Sequence, residues 1–178
     1  LEIRDDTHFF STVRDFAASA FVVIYLPLMT SFAILLLRRP EDGALWVIAF
    51  VVTVSMIDTM GYLVGRKLGK HQMAPGVSPK KSIEGLVASI IAGTASSFAF
   101  VVWGFHGTWW QGLLFAAVML LAAVFGDLAE SLIKRDLGVK DMSSLLPGHG
   151  GVMDRMDSIL PASLIAYLFA SIFFPIAF

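Results

Sequence analysis

At 178 residues, 57% of them hydrophobic and 15% charged, with a mean hydropathy of +0.77, the chain is too apolar for an ordinary water-soluble domain and points to a bilayer. Its net charge of −1 averages over strongly clustered charges and so excludes little. The absence of cysteine excludes disulfide scaffolds, thiolate metal sites and cysteine nucleophiles, leaving oxygen or imidazole to hold any metal.

The chain opens on Leu1 rather than Met, and residues 1–6 are too polar for a signal peptide, so part of a longer chain is expected. Residues 16–37 are an uncharged apolar run, long enough to cross a hydrocarbon core of about 30 Å as a helix, that stops at Arg38, Arg39 and Pro40. A second span covers 44–65, interrupted by Asp58 and ending at Arg66 and Lys67. A third, 83–103, carries Gly93, Ser96 and Ser97 as small residues suited to close helix packing. The fourth, 109–126, opens on Trp109 and Trp110, placed as an interfacial aromatic belt would be, and the fifth is 158–178. These runs predict an all-α, polytopic transmembrane bundle of about five spans, forming a single domain over residues 1–178.

Alternating spans sort the basic residues. One side receives Arg4, Arg14, Arg66, Lys67, Lys70, Lys80, Lys81, Lys134, Arg135, Lys140 and Arg155, the other only Arg38 and Arg39. The positive-inside rule then places the N-terminus and the loops 66–82 and 136–157 in the cytoplasm; the cytoplasmic (inner) membrane is the expected location.

Four polar clusters fall on that same side. Asp58 sits near the end of the second span, where a carboxylate is expected to face other helices; Gly61 and Gly65 beside it form a small-xxx-small pair that admits a neighbour. The segment 77–85 holds Ser78, Pro79, Lys80, Lys81 and Glu84, with Ser82 placed to cap the third span. At the end of the fourth span Asp127, Glu130, Ser131 and Lys134 share one helical face, followed by Arg135. In 140–157, Lys140 and Asp141 precede Gly148, His149, Gly150 and Gly151, whose backbone N–H groups can approach an anion closely. Asp154 and Asp157 fall one helical turn apart, an arrangement that suits a hard cation such as Mg2+, and Arg155 between them offers a planar fork for phosphate. Taken singly, each cluster also has an ordinary reading as a helix-end ion pair, a helix-start acid or a glycine-rich turn. Their shared face favours a site. His8, His71 and His106 lack ligand spacing and read as surface residues, and neither a Gly-x-Ser-x-Gly elbow nor a P-loop is present.

Ser131-Leu-Ile-Lys134-Arg135, then Lys140-Asp141, Pro147-Gly148-His149-Gly150-Gly151 and Asp154-Arg155-Met156-Asp157 together resemble the signature of the phosphatidate cytidylyltransferases. Asp58-Thr-Met-Gly61-Tyr62 and Ser78-Pro79-Lys80-Lys81 with Glu84-Gly85 resemble two further motifs of that family, in the same order. The resemblance runs over about residues 58–158 and implies transfer of CMP from CTP to phosphatidic acid, with release of pyrophosphate. It implies Asp127 and Asp154 as metal ligands, with Asp58, Glu130 and Asp157 as second candidates. Lys134, Lys140 and His149 would share the catalytic work. Ser78, Lys80, Lys81, Ser131, Arg135, Gly150, Gly151 and Arg155 would bind substrate phosphates. The implied cofactor is Mg2+, and a second, monovalent cation such as K+ is consistent with the family. Members usually carry further N-terminal spans, so this chain is expected to be the catalytic part. CTP, phosphatidic acid and the lipid bilayer are the expected partners, nucleic acid is not, and a homodimer is compatible with the sequence.

Two rival classes share some of these features. A related CTP-dependent lipid enzyme, an isoprenoid-alcohol kinase or a CDP-archaeol synthase, would act at a similar membrane face on a different lipid. A cation-coupled transporter also uses intramembrane acids, but it needs them at mid-bilayer, whereas the polar groups here gather at one face.

Overall fold

The computed structural model describes residues 6–74, 78–136, 156 and 158–175. They form an all-helical bundle with one small hairpin at one end. Helix α1 is Asp6–Leu37 and α2 is Gly43–Leu68. A hairpin follows, β1 (Gln72–Ala74) and β2 (Ser78–Ser82), then α3 (Ile83–Phe98). A π-helical turn over Ala99–Gly104 extends α3, after which come α4 (Trp109–Asp136) and α5 (Ile159–Phe173).

Helix ends follow local chemistry rather than hydropathy. The first helix is already formed at Asp6, well before the apolar run, and no Gly or Pro interrupts residues 6–26. It stops where Pro40 could not donate to a continuing helix. At the start of α3 the Ser82 hydroxyl accepts from the Gly85 backbone N–H at 3.1 Å, the cap expected from sequence. The side-chain oxygen of Gln111 accepts from the Thr108 N–H at 2.7 Å, half of a capping box written in Thr108-Trp-Trp-Gln111. Between α3 and α4 the chain reverses through His106, in the left-handed region at φ 54°.

Among the described residues, three helices are long and apolar enough to cross a membrane: Gly43–Leu68, Ile83–Gly104 and Trp109–Ala129. Val23–Leu37 and α5 are shorter apolar helices; α5 is about 22 Å long at 1.5 Å per residue and ends before Pro175. The protein is an integral membrane protein built as a bundle of helices, the fold class its apolar runs predict.

Helix α2 packs against all four others and most extensively on α3, while α5 lies against α1, α2 and α4. Where α2 and α3 cross, glycine allows backbone to meet backbone. A Cβ on Gly85 would lie 2.7 Å from the Gly61 carbonyl oxygen and 3.1 Å from the Gly65 Cα, and one on Gly61 would collide with the Ser89 hydroxyl. Ser89 uses that proximity to donate to the Ile57 carbonyl at 2.7 Å. In lipid, where apolar burial drives little association, such close packing and interhelical hydrogen bonding hold a pair together.

The two ends of the bundle differ. At one, Trp46 stacks on Phe105 (centroids 3.8 Å apart) and meets Phe115 and Phe174 edge-on. Arg39, whose side chain is 9% exposed, forks onto Asp42 at 2.7 and 2.9 Å and donates to the Phe174 carbonyl at 2.7 Å. Asp42 also accepts from Trp46 Nε1 at 2.9 Å. Burial pushes the Asp42 carboxyl up, but these hydrogen bonds and the guanidinium charge outweigh it and hold the group below its ordinary value. The other end carries the hairpin, the last turns of α2 and α4 and the first turns of α3 and α5.

Candidate active site

Two neighbouring helix starts and ends organise the hairpin end. Helix α2 runs out at Gly69, whose N–H donates to the Gly65 carbonyl at 3.1 Å. The chain then returns through β1 and β2, paired antiparallel from Gln72↔Ser82 to Ala74↔Ser78 with a register irregularity between them. The sequence over 66–82 reads as a polar loop, because strands of three and five residues are too short for an alternating pattern to register. At the hairpin base the Ile83 N–H donates to the His71 carbonyl at 2.9 Å. His71 Nδ1 lies 2.8 Å from Glu84 Oε1, and the His71 backbone N–H donates to Glu84 Oε2 at 3.4 Å. The imidazole is 75% exposed, so the surface reading of His71 holds, but its partner, thirteen residues away, was not visible in the sequence.

Of the expected carboxylates, Asp58 is exposed on the flank of α2, rather than enclosed against other helices as predicted. Ile57, Gly61 and Gly65 line the seam with α3, and Asp58 is exposed at the edge of that seam. One turn on, Tyr62 accepts from Arg66 Nη1 at 2.9 Å, with the guanidinium 6.0 Å from its ring centroid. Asp127 is half-buried on α4, and both it and Asp58 engage other groups of the protein. Helix α4 continues unbroken to Asp136, so Asp127, Glu130, Ser131 and Lys134 occupy positions on one helical face, with Arg135 following.

Ser78, Lys80 and Lys81 lie on β2. Lys140, His149, Gly150, Gly151, Asp154, Arg155 and Asp157 lie outside the described residues, as do the side chains of Ser78, Lys80, Lys81, Glu130, Ser131, Lys134 and Arg135. The described chain resumes for good at Ser158, whose hydroxyl donates to the Ala123 carbonyl at 3.5 Å, one turn from Asp127 on α4. Among the described residues no group of three or more His, Asp or Glu is placed to hold a metal ion. Asp58 and Asp127 supply oxygen donors of the kind a hard cation takes.

With this geometry in place, comparison with known proteins is informative. The model of the cytidylyltransferase family matches residues 6–173. The chain belongs to that family. A phosphatidate cytidylyltransferase of Mycobacterium leprae is 44% identical over 155 residues, covering 87% of this chain and 49% of the relative. Proteins of the same name from Helicobacter pylori and Haemophilus influenzae are 41% identical over 125 residues (70% of this chain, 46% of the relative) and 38% over 130 (69% and 44%). The chain therefore spans about half the length of the relatives it matches. A solved structure described as giving insight into an intramembrane enzyme for archaeal membrane lipids biosynthesis aligns at a TM-score of 0.47 and 22% identity, over 71% of this chain and 76% of that one.

Proposed function

We propose that this chain is the catalytic part of a phosphatidate cytidylyltransferase, transferring CMP from CTP to phosphatidic acid to yield CDP-diacylglycerol and pyrophosphate. The observation that carries the reading is the family match over residues 6–173, together with relatives of that name at 38–44% identity. The hairpin end supports it, since the ends of α2 and α4, strand β2 and the start of α5 all lead polar motifs to one side of an apolar bundle.

In this reading a phosphatidate oxygen attacks the α-phosphorus of CTP, its new P–O bond forming as the bond to pyrophosphate breaks. Phosphatidate is already anionic near neutral pH, so no strong base is required, and catalysis rests on positioning and charge stabilisation. Lys80, Lys81, Lys134, Arg135, Lys140 and Arg155 would bind phosphate oxygens, with hydrogen bonds from Ser78, Ser131 and the His149-Gly150-Gly151 turn. Asp127 and Asp154 would hold Mg2+, with Asp58, Glu130 and Asp157 as further oxygen donors. When bound, the ion would neutralise charge on the phosphates. The eleven basic residues on this side argue for a cytoplasmic orientation in the inner membrane.

The test uses full-length protein with phosphatidic acid, Mg2+ and CTP carrying label at either its α- or its γ-phosphorus. Label from the α position should enter the lipid phase, and label from the γ position should leave as pyrophosphate. Lipid labelled only from the γ position would make the protein a kinase, and no labelled lipid from either would remove the activity.

A further inference from the structure

We infer that His71 and Glu84 are a positioning pair that sets the hairpin carrying Ser78, Lys80 and Lys81 against a phosphate-bearing substrate. The inference rests on the cytidylyltransferase reading for what those residues bind.

A two-stranded hairpin is marginal by itself, and this one changes register between Gln72 and Ala74, so strand pairing alone does not orient it. Its orientation is set at its base. Ser82 ends β2 and caps α3 in one residue, and Glu84 follows in the first turn of α3. Helix α3 is in turn fixed on α2 by the Gly61, Gly65 and Gly85 contacts. Glu84 is therefore a rigid reference point, and His71, two residues beyond the end of α2 at Gly69, is the arm that must be held to it. Three ties hold it: the Ile83 N–H to the His71 carbonyl, the His71 N–H to Oε2, and Nδ1 against Oε1.

The pair also settles where one negative charge goes. Glu84 stands three and four positions after Lys81 and Lys80, in the segment proposed to bind phosphate, where a free carboxylate would repel the ligand. Both of its oxygens face His71 instead. The carboxylate thus orients the hairpin as a structural acceptor.

The test compares wild type with Glu84→Ala, His71→Ala and Glu84→Gln in the full-length protein in detergent, reading KM for CTP, KM for phosphatidic acid, kcat, and amide hydrogen exchange over 71–84. Glutamine can accept from the His71 N–H and donate to Nδ1, so it should preserve the bonds without the charge. Both alanine variants should lose exchange protection at the hairpin and raise KM about tenfold for at least one substrate, with kcat nearly unchanged, and Glu84→Gln should restore both. The substrate whose KM moves tells whether the hairpin serves the nucleotide or the lipid phosphate. Unchanged exchange in the alanine variants would overturn the latch, even in protein lacking activity. Altered exchange with both KM values unchanged, or a fall in kcat and thermal stability alone, would overturn its role in substrate positioning. A wild type that labels no lipid would instead overturn the cytidylyltransferase reading, and with it the substrate assigned to the hairpin.

Discussion

The two ends of this bundle use polar groups in opposite ways. Around Trp46, Asp42 and Arg39 satisfy one another, the indole and the Phe174 carbonyl, and the indole packs against Phe105, Phe115 and Phe174. Around Gly61 and Gly85, small residues let two helices meet, and the chain between them leaves the bundle as a hairpin with an exposed imidazole at its base. A membrane protein that seals one end with aromatic packing can hold the other open to water without losing its fold. Side-chain chemistry at the first end serves stability; at the second, the proposed function gives it ligands to bind.

The sharpest break between the ends should come from the carboxylates. Asp127→Asn and Asp154→Asn are each expected to cut lipid labelling by at least about a hundredfold while leaving the detergent melting curve near that of wild type. Retained turnover in either variant would remove that residue as a metal ligand. Trp46→Ala is the mirror experiment. It should cost about 3–5 kcal/mol of stability through the lost ring contacts, with kcat per folded molecule unchanged, as read by activity against the folded fraction. A smaller effect is expected at Asp42. Its carboxyl is held below its ordinary 3.8, so the stabilisation it contributes is complete above that value and is lost as pH falls through the lower folded-state value. Melting temperatures of wild type and Asp42→Asn should therefore differ at pH 7 and converge below pH 3.8. A gap that persists in acid would assign the effect to packing instead.

The smallest effect separates two kinds of buried hydroxyl in the α2–α3 seam. Ile57 meets Gly93, Gly61 meets Ser89 and Gly65 meets Gly85, a pairing that steps by four residues on each helix and, continued once more, sets Thr53 opposite Ser97. Ser89 donates to a carbonyl, whereas the buried Thr53 and Ser97 hydroxyls have no hydrogen-bond partner among the described residues. Ser89→Ala should destabilise by about 0.5–1.5 kcal/mol, while Thr53→Val combined with Ser97→Ala should be neutral or slightly stabilising. Thermal unfolding in detergent distinguishes them.

Much of the architecture was legible because its signals are local. Runs of apolar residues mark the helices, Ser82 marks the start of α3, and Gly61 with Gly65 marks a close helix contact. Thr108 and Gln111 carry an equally local signal, that of a capping box. The outward position of Asp58 was harder to see, since hydropathy says only that a carboxylate in a span is costly, and not which side of the helix its neighbours occupy. The hairpin left no periodic trace, and the His71–Glu84 pair joins residues whose spacing has no meaning until the strands fold back.

Composition and order along the chain thus determined that this protein is a helical bundle of a bilayer, with its polar motifs set between apolar runs. Those properties depend on transfer free energies and helix rise, which each segment carries by itself. Tertiary structure alone decided that α2 is central, that Arg39 serves Asp42 and that Glu84 serves His71. Each of these follows from where two segments cross, and a crossing is fixed by the shapes of both.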